Sequence, residues 1–130
     1  MKKTRKRIKY CFKDDCKKLA KISGIEKEFY EEYLIDGKGL ICNTGFLLYY
    51  PMMSGARIEQ ITVLEKRKGV GSQLVQKLES HIIEQGLLEI QAMVPENDLE
   101  SQLFFKSLGY FCTNIVQMSS GNKYLFIKTV

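Results

Sequence analysis

Glu65-Lys66-Arg67-Lys68-Gly69-Val70-Gly71-Ser72 is the stretch on which the fold of this 130-residue chain turns. Before it, residues 57–63 alternate, with Ile58 set between Arg57 and Glu59, as a strand with one buried face does. After it, Leu74, Val75, Leu78 and Ile82 fall on one helical face until Gly86 ends the pattern. The stretch is therefore a strand-to-helix link. At such a link the unpaired N–H groups of the first helical turn and the helix dipole both favour an anion. Glycines let backbone come close to a phosphate, and Lys66, Arg67 and Lys68 add attraction at longer range. A helix terminus by itself contributes only about 0.3–1 kcal/mol, so tight binding needs several N–H bonds and those charges together. Two familiar phosphate loops are excluded by named residues. A Walker loop needs Gly-Lys before Ser or Thr, whereas Gly71 is followed by Ser72-Gln73. A dinucleotide fingerprint needs a third glycine three positions after Gly71, where Leu74 stands.

Working outward, residues 87–94 read as a short buried strand, so strand, helix and strand make a parallel crossover. Upstream, Leu40-Ile41-Cys42 and the apolar run 46–50 flank the turn Asn43-Thr44-Gly45 as a hairpin, and residues 51–55 form the next loop. Near the start, residues 7–13 alternate with Ile8, Tyr10 and Phe12 on the expected buried side. Asp14 and Asp15 offer an N-cap for a helix carrying Cys16, Leu19, Ala20 and Ile22, which Gly24 stops. In the next helical run Ile25, Phe29 and Tyr33 share one stripe and Tyr30 and Leu34 a neighbouring one. Downstream, Asn97 and Glu100 read as a capping box for a helix whose buried stripe is Leu99, Leu103, Phe104 and Leu108. Residues 110–118 and 123–129 close the chain as a hairpin. The order β-α-α-β-β-β-α-β-α-β-β predicts an α/β (mixed, α+β type) fold with one parallel step near its middle. Residues 1–130 are expected to form a single domain, with residues 1–6 a flexible basic tail.

Composition narrows the function. No apolar run approaches the roughly 18–20 residues that cross a bilayer. The basic opening is followed by Ile8-Lys9-Tyr10-Cys11-Phe12-Lys13, which is no signal-peptide core, so a cytoplasmic protein without a membrane partner is expected. Of the twenty Lys and Arg residues behind the net charge of +5, five fall in the first seven positions. Much of the excess is thus a tail rather than a binding face, and nucleic acid is not the expected partner. The cysteines at 11, 16, 42 and 112 form no Cys-x-x-Cys pair, and His81 is the single histidine, so no metal site is expected. Cys11, Cys42 and Cys112 lie in strand-like runs and are expected to be buried reduced thiols. His81 falls beside the apolar stripe of its helix and reads as structural.

Two motifs in this order resemble the GNAT superfamily of N-acetyltransferases. Lys66-Arg67-Lys68-Gly69-Val70-Gly71 is similar to that family's Arg/Gln-x-x-Gly-x-Gly/Ala, with Lys66 where Arg or Gln is usual. Phe104-Phe105-Lys106-Ser107-Leu108-Gly109-Tyr110 is similar to its aromatic pair, three residues and Gly-Phe/Tyr. The element order matches that family over roughly residues 7 to 130. The resemblance implies acetyl-CoA lying where the strands that end at Val63 and Val94 splay apart. It implies pantetheine along the backbone near Val63 and pyrophosphate on the N–H groups from Lys68 to Ser72. It thereby assigns coenzyme binding to Val63, Lys66, Arg67, Lys68, Gly69, Val70, Gly71, Ser72, Asn97 and Phe105. The segment from Val63 to Lys66 is about two residues shorter than the family's usual one, so Ile61 is the other candidate for the position given to Val63.

Acetyl transfer to an amine needs a neutral nucleophile, a polarised thioester and, usefully, a proton for the departing thiolate. The family's acid is often a tyrosine at the second aromatic position, here Phe105, so no acid is identified. Tyr110 reads as core. Glu59, four residues before Val63 and so expected on the same strand face, is the first candidate for the base, with Glu65 and Glu89 behind it. The expected activity is acetyl-CoA-dependent N-acetylation of a primary amine on a small molecule or peptide, by a monomer or homodimer. The alternative is a catalytically weak module of the same fold that binds acetyl-CoA as a sensor or serves as an interaction domain.

Overall fold

The computed structural model describes residues 7–66 and 68–130. The basic tail 1–6 and Arg67 lie outside the described residues. The elements run β1 (Lys9–Tyr10), a 3-10 turn (Lys13–Asp15), α1 (Cys16–Ser23), α2 (Lys27–Asp36), β2 (Lys38–Cys42), β3 (Gly45–Met52) and β4 (Gly55–Val63). They continue as α3 (Val70–Glu84), β5 (Glu89–Pro95), α4 (Leu99–Ser107), β6 (Phe111–Met118) and β7 (Gly121–Thr129). This is the order read from the sequence. The strands form one mixed sheet, β1-β2-β3-β4-β5-β7-β6. Its parallel pair is β4 with β5, the crossover made by α3. At that step Gly55 lies so close to Glu89 that a Cβ would collide with the Glu89 carbonyl oxygen, so only glycine fits.

Helices cover both faces. Leu74, Leu78 and Ile82 of α3 and Phe105 of α4 bury against Leu47, Ala56, Ile58, Ile90 and Ala92. On the other face Cys16 and Leu19 of α1 and Tyr30 of α2 bury against Ile41, Phe46 and Leu48. Side chains of the Leu and Ile class that are almost wholly removed from water contribute about 1.5–3 kcal/mol each, and these two layers fix where each strand end points.

Three local readings are corrected, at the start of the chain, in α4 and at Cys112, and in α2 the structure decides between two stripes. At the start of the chain only Lys9 and Tyr10 pair, with Ile41 and Leu40, and Phe12 is 67% exposed while Cys11 is buried. The cause is Asp15, whose carboxylate accepts the Phe12 N–H at 2.8 Å and a bond from Lys9 Nζ at 2.9 Å. It curls the chain out of the sheet instead of capping α1, where no side-chain cap bond forms. In α2 the buried residue is Tyr30, with Tyr33 and Leu34 half-buried, while Ile25 and Phe29 face outward. Tyr30 is fixed by donating to Ser23 Oγ at 2.7 Å and by its ring against Phe46, centroids 5.6 Å apart. In α4 the cap is Asp98, not Asn97, and the buried residue is Phe105, while Leu99 and Leu103 are each 67% exposed. Phe105 meets Tyr110 at 5.3 Å and Phe126 at 6.4 Å between centroids, and that aromatic cluster sets the rotation of the helix. Finally, Cys112 is exposed, because β6 is the outer strand of the sheet, whereas Cys11, Cys16 and Cys42 are buried.

Candidate active site

The site begins with an irregularity in β4. Tyr49 pairs with Ile58 and Leu48 with Gln60, which leaves Glu59 as an extra residue, a β-bulge. A bulge bends its strand and increases the local twist. Here it coincides with the end of the β4–β5 ladder, whose last pair is Ile58 with Ala92. Beyond that pair β4 stays with β3 as far as Val63 opposite Gly45. β5 stays with β7 through Val94 opposite Tyr124 and Pro95 opposite Lys123. The two neighbours part while each keeps its outer partner, and a slot opens through the sheet.

α3 starts at the mouth of that slot. Its N-cap is Gly69 at φ 78°, a left-handed conformation suited to glycine, with no side-chain cap bond and open space where a Cβ would stand. The first helical bond here runs from the Gln73 N–H to the Gly69 carbonyl at 3.0 Å, so the amides before it point out of the helix end. Val70 is buried and anchors this turn beside Gly45, where a Cβ would lie 3.2 Å from Val70 Cγ1. Gly71 has its own steric reason, since a Cβ there would lie 3.3 Å from the Phe104 ring. The preceding chain is tied by the Leu64 N–H donating to the Thr44 carbonyl at 2.8 Å.

Between this turn, the parted strands and α4 lies a cleft of about 720 Å³. It is lined by Glu59, Val63, Lys66, Gly69, Val70, Gly71, Ser72 and Phe105 from among the sequence-derived candidates. Lys68 is exposed outside that lining, as is Asn97; Arg67 lies outside the described residues. Lys66 does not stand free: its Nζ is 2.7 Å from Glu100 Oε1, a bridge from the loop to α4, and Glu100 raises its pKa. Asp98 and Ser101, which the sequence reading did not assign to the site, also line the cleft wall. The spacing Asp98-x-x-Ser101 was the available sign, being a cap followed by its own donor.

The bulge also overturns the parity used for Glu59. Ile58, Ile61 and Val63 pack with the core under α3, so counting by twos back from Val63 fails across the extra residue. Glu59 lines the cleft, and its charge is felt by Tyr33 of α2. Partial loss of water pushes the Glu59 carboxyl above its ordinary value, while Arg57 and Lys123 pull it the other way. Glu65 lines the cleft, but Glu89 accepts from Gln91 Nε2 at 2.6 Å near the closed end of the β4–β5 ladder. Tyr110 is buried and donates to Glu79 at 2.9 Å, with Lys128 3.2 Å from the same oxygen. That hydroxyl is committed to the core, as its reading as a core residue requires. His81 Nδ1 is 2.7 Å from Tyr10 Oη, which ties α3 to β1 away from the cleft.

A family model described as FR47-like protein matches residues 53–116, the span from the turn before β4 into β6. Ard1 from Thermoplasma volcanium is 22% identical with a TM-score of 0.77, over 95% of this chain and 97% of that one. The ribosomal-protein-S18-alanine N-acetyltransferase from Escherichia coli is 14% identical with a TM-score of 0.81, over 97% and 94%. A GNAT family acetyltransferase from Elizabethkingia anophelis, solved with acetyl-CoA bound, is 16% identical with a TM-score of 0.69, over 86% and 88%. The chain has the fold of these acetyltransferases, and the family model covers just under half of it. No curated protein matches its sequence. Among the described residues there are seven strands in one mixed sheet and four α-helices, and none of these helices is long and apolar enough to cross a membrane.

Proposed function

We propose that this chain is an acetyl-CoA-dependent N-acetyltransferase acting on a primary amine, working as a single domain over residues 1–130 in the cytoplasm. The observation that carries the reading is the slot between β4 and β5 opening beside an uncapped helix start. In this reading the amides from Lys68 to Ser72 hold the pyrophosphate, and the β4 backbone from Gln60 to Val63, which has lost its β5 partner, pairs with an amide-bearing chain. Lys66 and Arg67 add charge. Coenzyme A with its acetyl thioester supplies the activated acyl group.

Glu59 sits at the fork and is the base in this reading. Its raised pKa makes it a stronger proton acceptor than an ordinary glutamate. The amine nitrogen bonds to the acyl carbon, the carbon–sulfur bond breaks, and the proton lost from nitrogen passes to Glu59. The thiolate takes its proton from water, since Phe105 has none to give and Tyr110 is held by Glu79. Phe105 also favours the second reading, a weakly catalytic module that binds acetyl-CoA as a sensor or joins an assembly.

Two measurements test the proposal. Acetyl-CoA is expected to raise the unfolding temperature, and thiol release over a panel of amines is expected to find an acceptor. Glu59→Gln is expected to lower kcat about 10²-fold or more with little change in the KM for acetyl-CoA. The wild-type rate rises with pH as Glu59 loses its proton, over a range displaced above the usual glutamate value, and the variant loses that limb. No thermal shift at millimolar acetyl-CoA contradicts both readings. A shift with no turnover on any amine leaves the sensor.

A further inference from the structure

The slot has a second side. Ile58 packs into the core under α3, so strand alternation sets its neighbour Arg57 on the opposite face, where α2 lies. There Arg57 pairs across the ladder with Tyr50, whose ring lies 4.9 Å from that of Tyr33. Tyr33 is held closely: a Cβ on Gly37 would collide with its ring, so residue 37 must be glycine for the ring to rest there.

Two polar atoms in this group are buried without a hydrogen-bond partner among the described residues, Tyr33 Oη and Arg57 Nε. Buried polar groups left unpaired are rare and call for an explanation. Arg57 is half-buried and, among the described residues, makes no ion pair. Its one side-chain bond is long, from Nη2 to Gln91 Oε1 at 3.5 Å, and Gln91 in turn donates to Glu89. Nε and Nη2 form the two-donor edge of a guanidinium that matches a carboxylate. A partly desolvated cation without a counterion is costly, and an anion from outside removes that cost. Glu59 stands two residues further along β4, at the bulge and at the opening of the slot.

We propose that the acceptor is an α-amino acid with a free carboxylate, its amine at Glu59 and its carboxylate at Arg57 and Tyr33, entering from the face opposite α3. This rests on the acetyltransferase reading and names its substrate class. A cationic acceptor such as a polyamine finds Arg57 on its path, with Lys123 close enough to act on Glu59 as well. Both oppose a second positive charge. The free amino acid meets one charge of each sign in the right order along the strand.

The experiment uses the full chain, saturating acetyl-CoA and thiol release, with the common amino acids, their carboxamides and 1,4-diaminobutane as acceptors. At least one amino acid is expected to turn over with a KM about tenfold or more below that of its amide. Arg57→Met is expected to raise that KM by a similar factor, to erase the preference over the amide, and to leave the KM for acetyl-CoA unchanged, which also shows that the variant is folded. Tyr33→Phe, which removes only the hydroxyl, is expected to raise the amino-acid KM severalfold. Preference for the diamine or for amides, or an Arg57→Met enzyme that still prefers the free carboxylate, overturns the inference while the acetyltransferase stands. Binding of acetyl-CoA with no turnover on any acceptor overturns both, and the thermal shift distinguishes that outcome from failure to bind the coenzyme.

Discussion

α3 and α4 both open onto the same cleft, yet their first turns are built in opposite ways. α4 begins at Asp98, whose carboxylate accepts the Ser101 N–H at 3.1 Å and the Ser101 hydroxyl at 2.7 Å. α3 begins at Gly69, which has no side chain of its own to cap the amides that follow, and the loop before it carries three cations in sequence. A side-chain cap contributes about 1 kcal/mol, and Ser, Thr, Asp or Asn supplies one readily. One helix end is satisfied from within its own chain. The other has no cap bond from its N-cap residue, and the difference lies in which residue type occupies the cap.

The sharpest way to break this contrast is to close the open end. Gly71→Glu places a Cβ against the Phe104 ring and a carboxylate where an anion is expected to sit. In the wild type, acetyl-CoA at 100 times its dissociation constant stabilises the fold by about 2.7 kcal/mol. The variant is expected to lose that stabilisation altogether, measured by thermal unfolding with and without coenzyme. Gly71→Ala serves as the steric control and should keep most of it. Full stabilisation of the glutamate variant would show that the start of α3 is not the anion end.

The next effect is smaller and has the opposite form. Asp98→Ala removes the cap of α4 and is expected to lower stability by about 1 kcal/mol in urea unfolding. The dissociation constant for acetyl-CoA should not move, because that helix end is not offered to the ligand. A tenfold loss of coenzyme affinity would mean that both helix starts serve the cleft and that the two ends do not divide the work in this way.

How far the sequence disclosed this contrast depends on range. The order of elements was legible, because a period of 3.6 survives in α3, apolar residues recur on either side of the bulge in β4, and glycines mark the ends at Gly24 and Gly86. The glycine turn was legible too, since its meaning is local. What failed was decided at a distance. Asn97 and Asp98 are adjacent and chemically alike, and only Ser101 singles out the second as the cap. Whether Leu103 or Phe105 faces inward depends on Tyr110 and Phe126, which lie on other elements. The bulge at Glu59, which decides where β4 and β5 part, shows in the sequence only as two successive polar residues, Glu59 and Gln60, between Ile58 and Ile61. Tyr33 and Arg57 read as an ordinary helix and strand pair, because an unpartnered atom is a property of the packed state alone.

The smallest expected effect joins the two helix starts. Lys66 and Glu100 meet 2.7 Å apart across the mouth of the cleft, both well exposed. Exposed pairs of this kind add little to the fold, so Glu100→Gln should leave the unfolding midpoint where it was. It also frees the Lys66 ammonium and removes a carboxylate from the edge of an anion site. Affinity for acetyl-CoA is therefore expected to rise about two- to fivefold at low salt. The gain should fade as ionic strength approaches about 1 M, where screening acts within roughly 3 Å. A loss of affinity instead would mean that Glu100 holds Lys66 in place for the coenzyme. The first turn of α4 would then take part in binding through its side chains while its amides stay capped. That result would narrow the contrast between the two helices to their backbones, where the Asp98 carboxylate and the bare Gly69 still separate them.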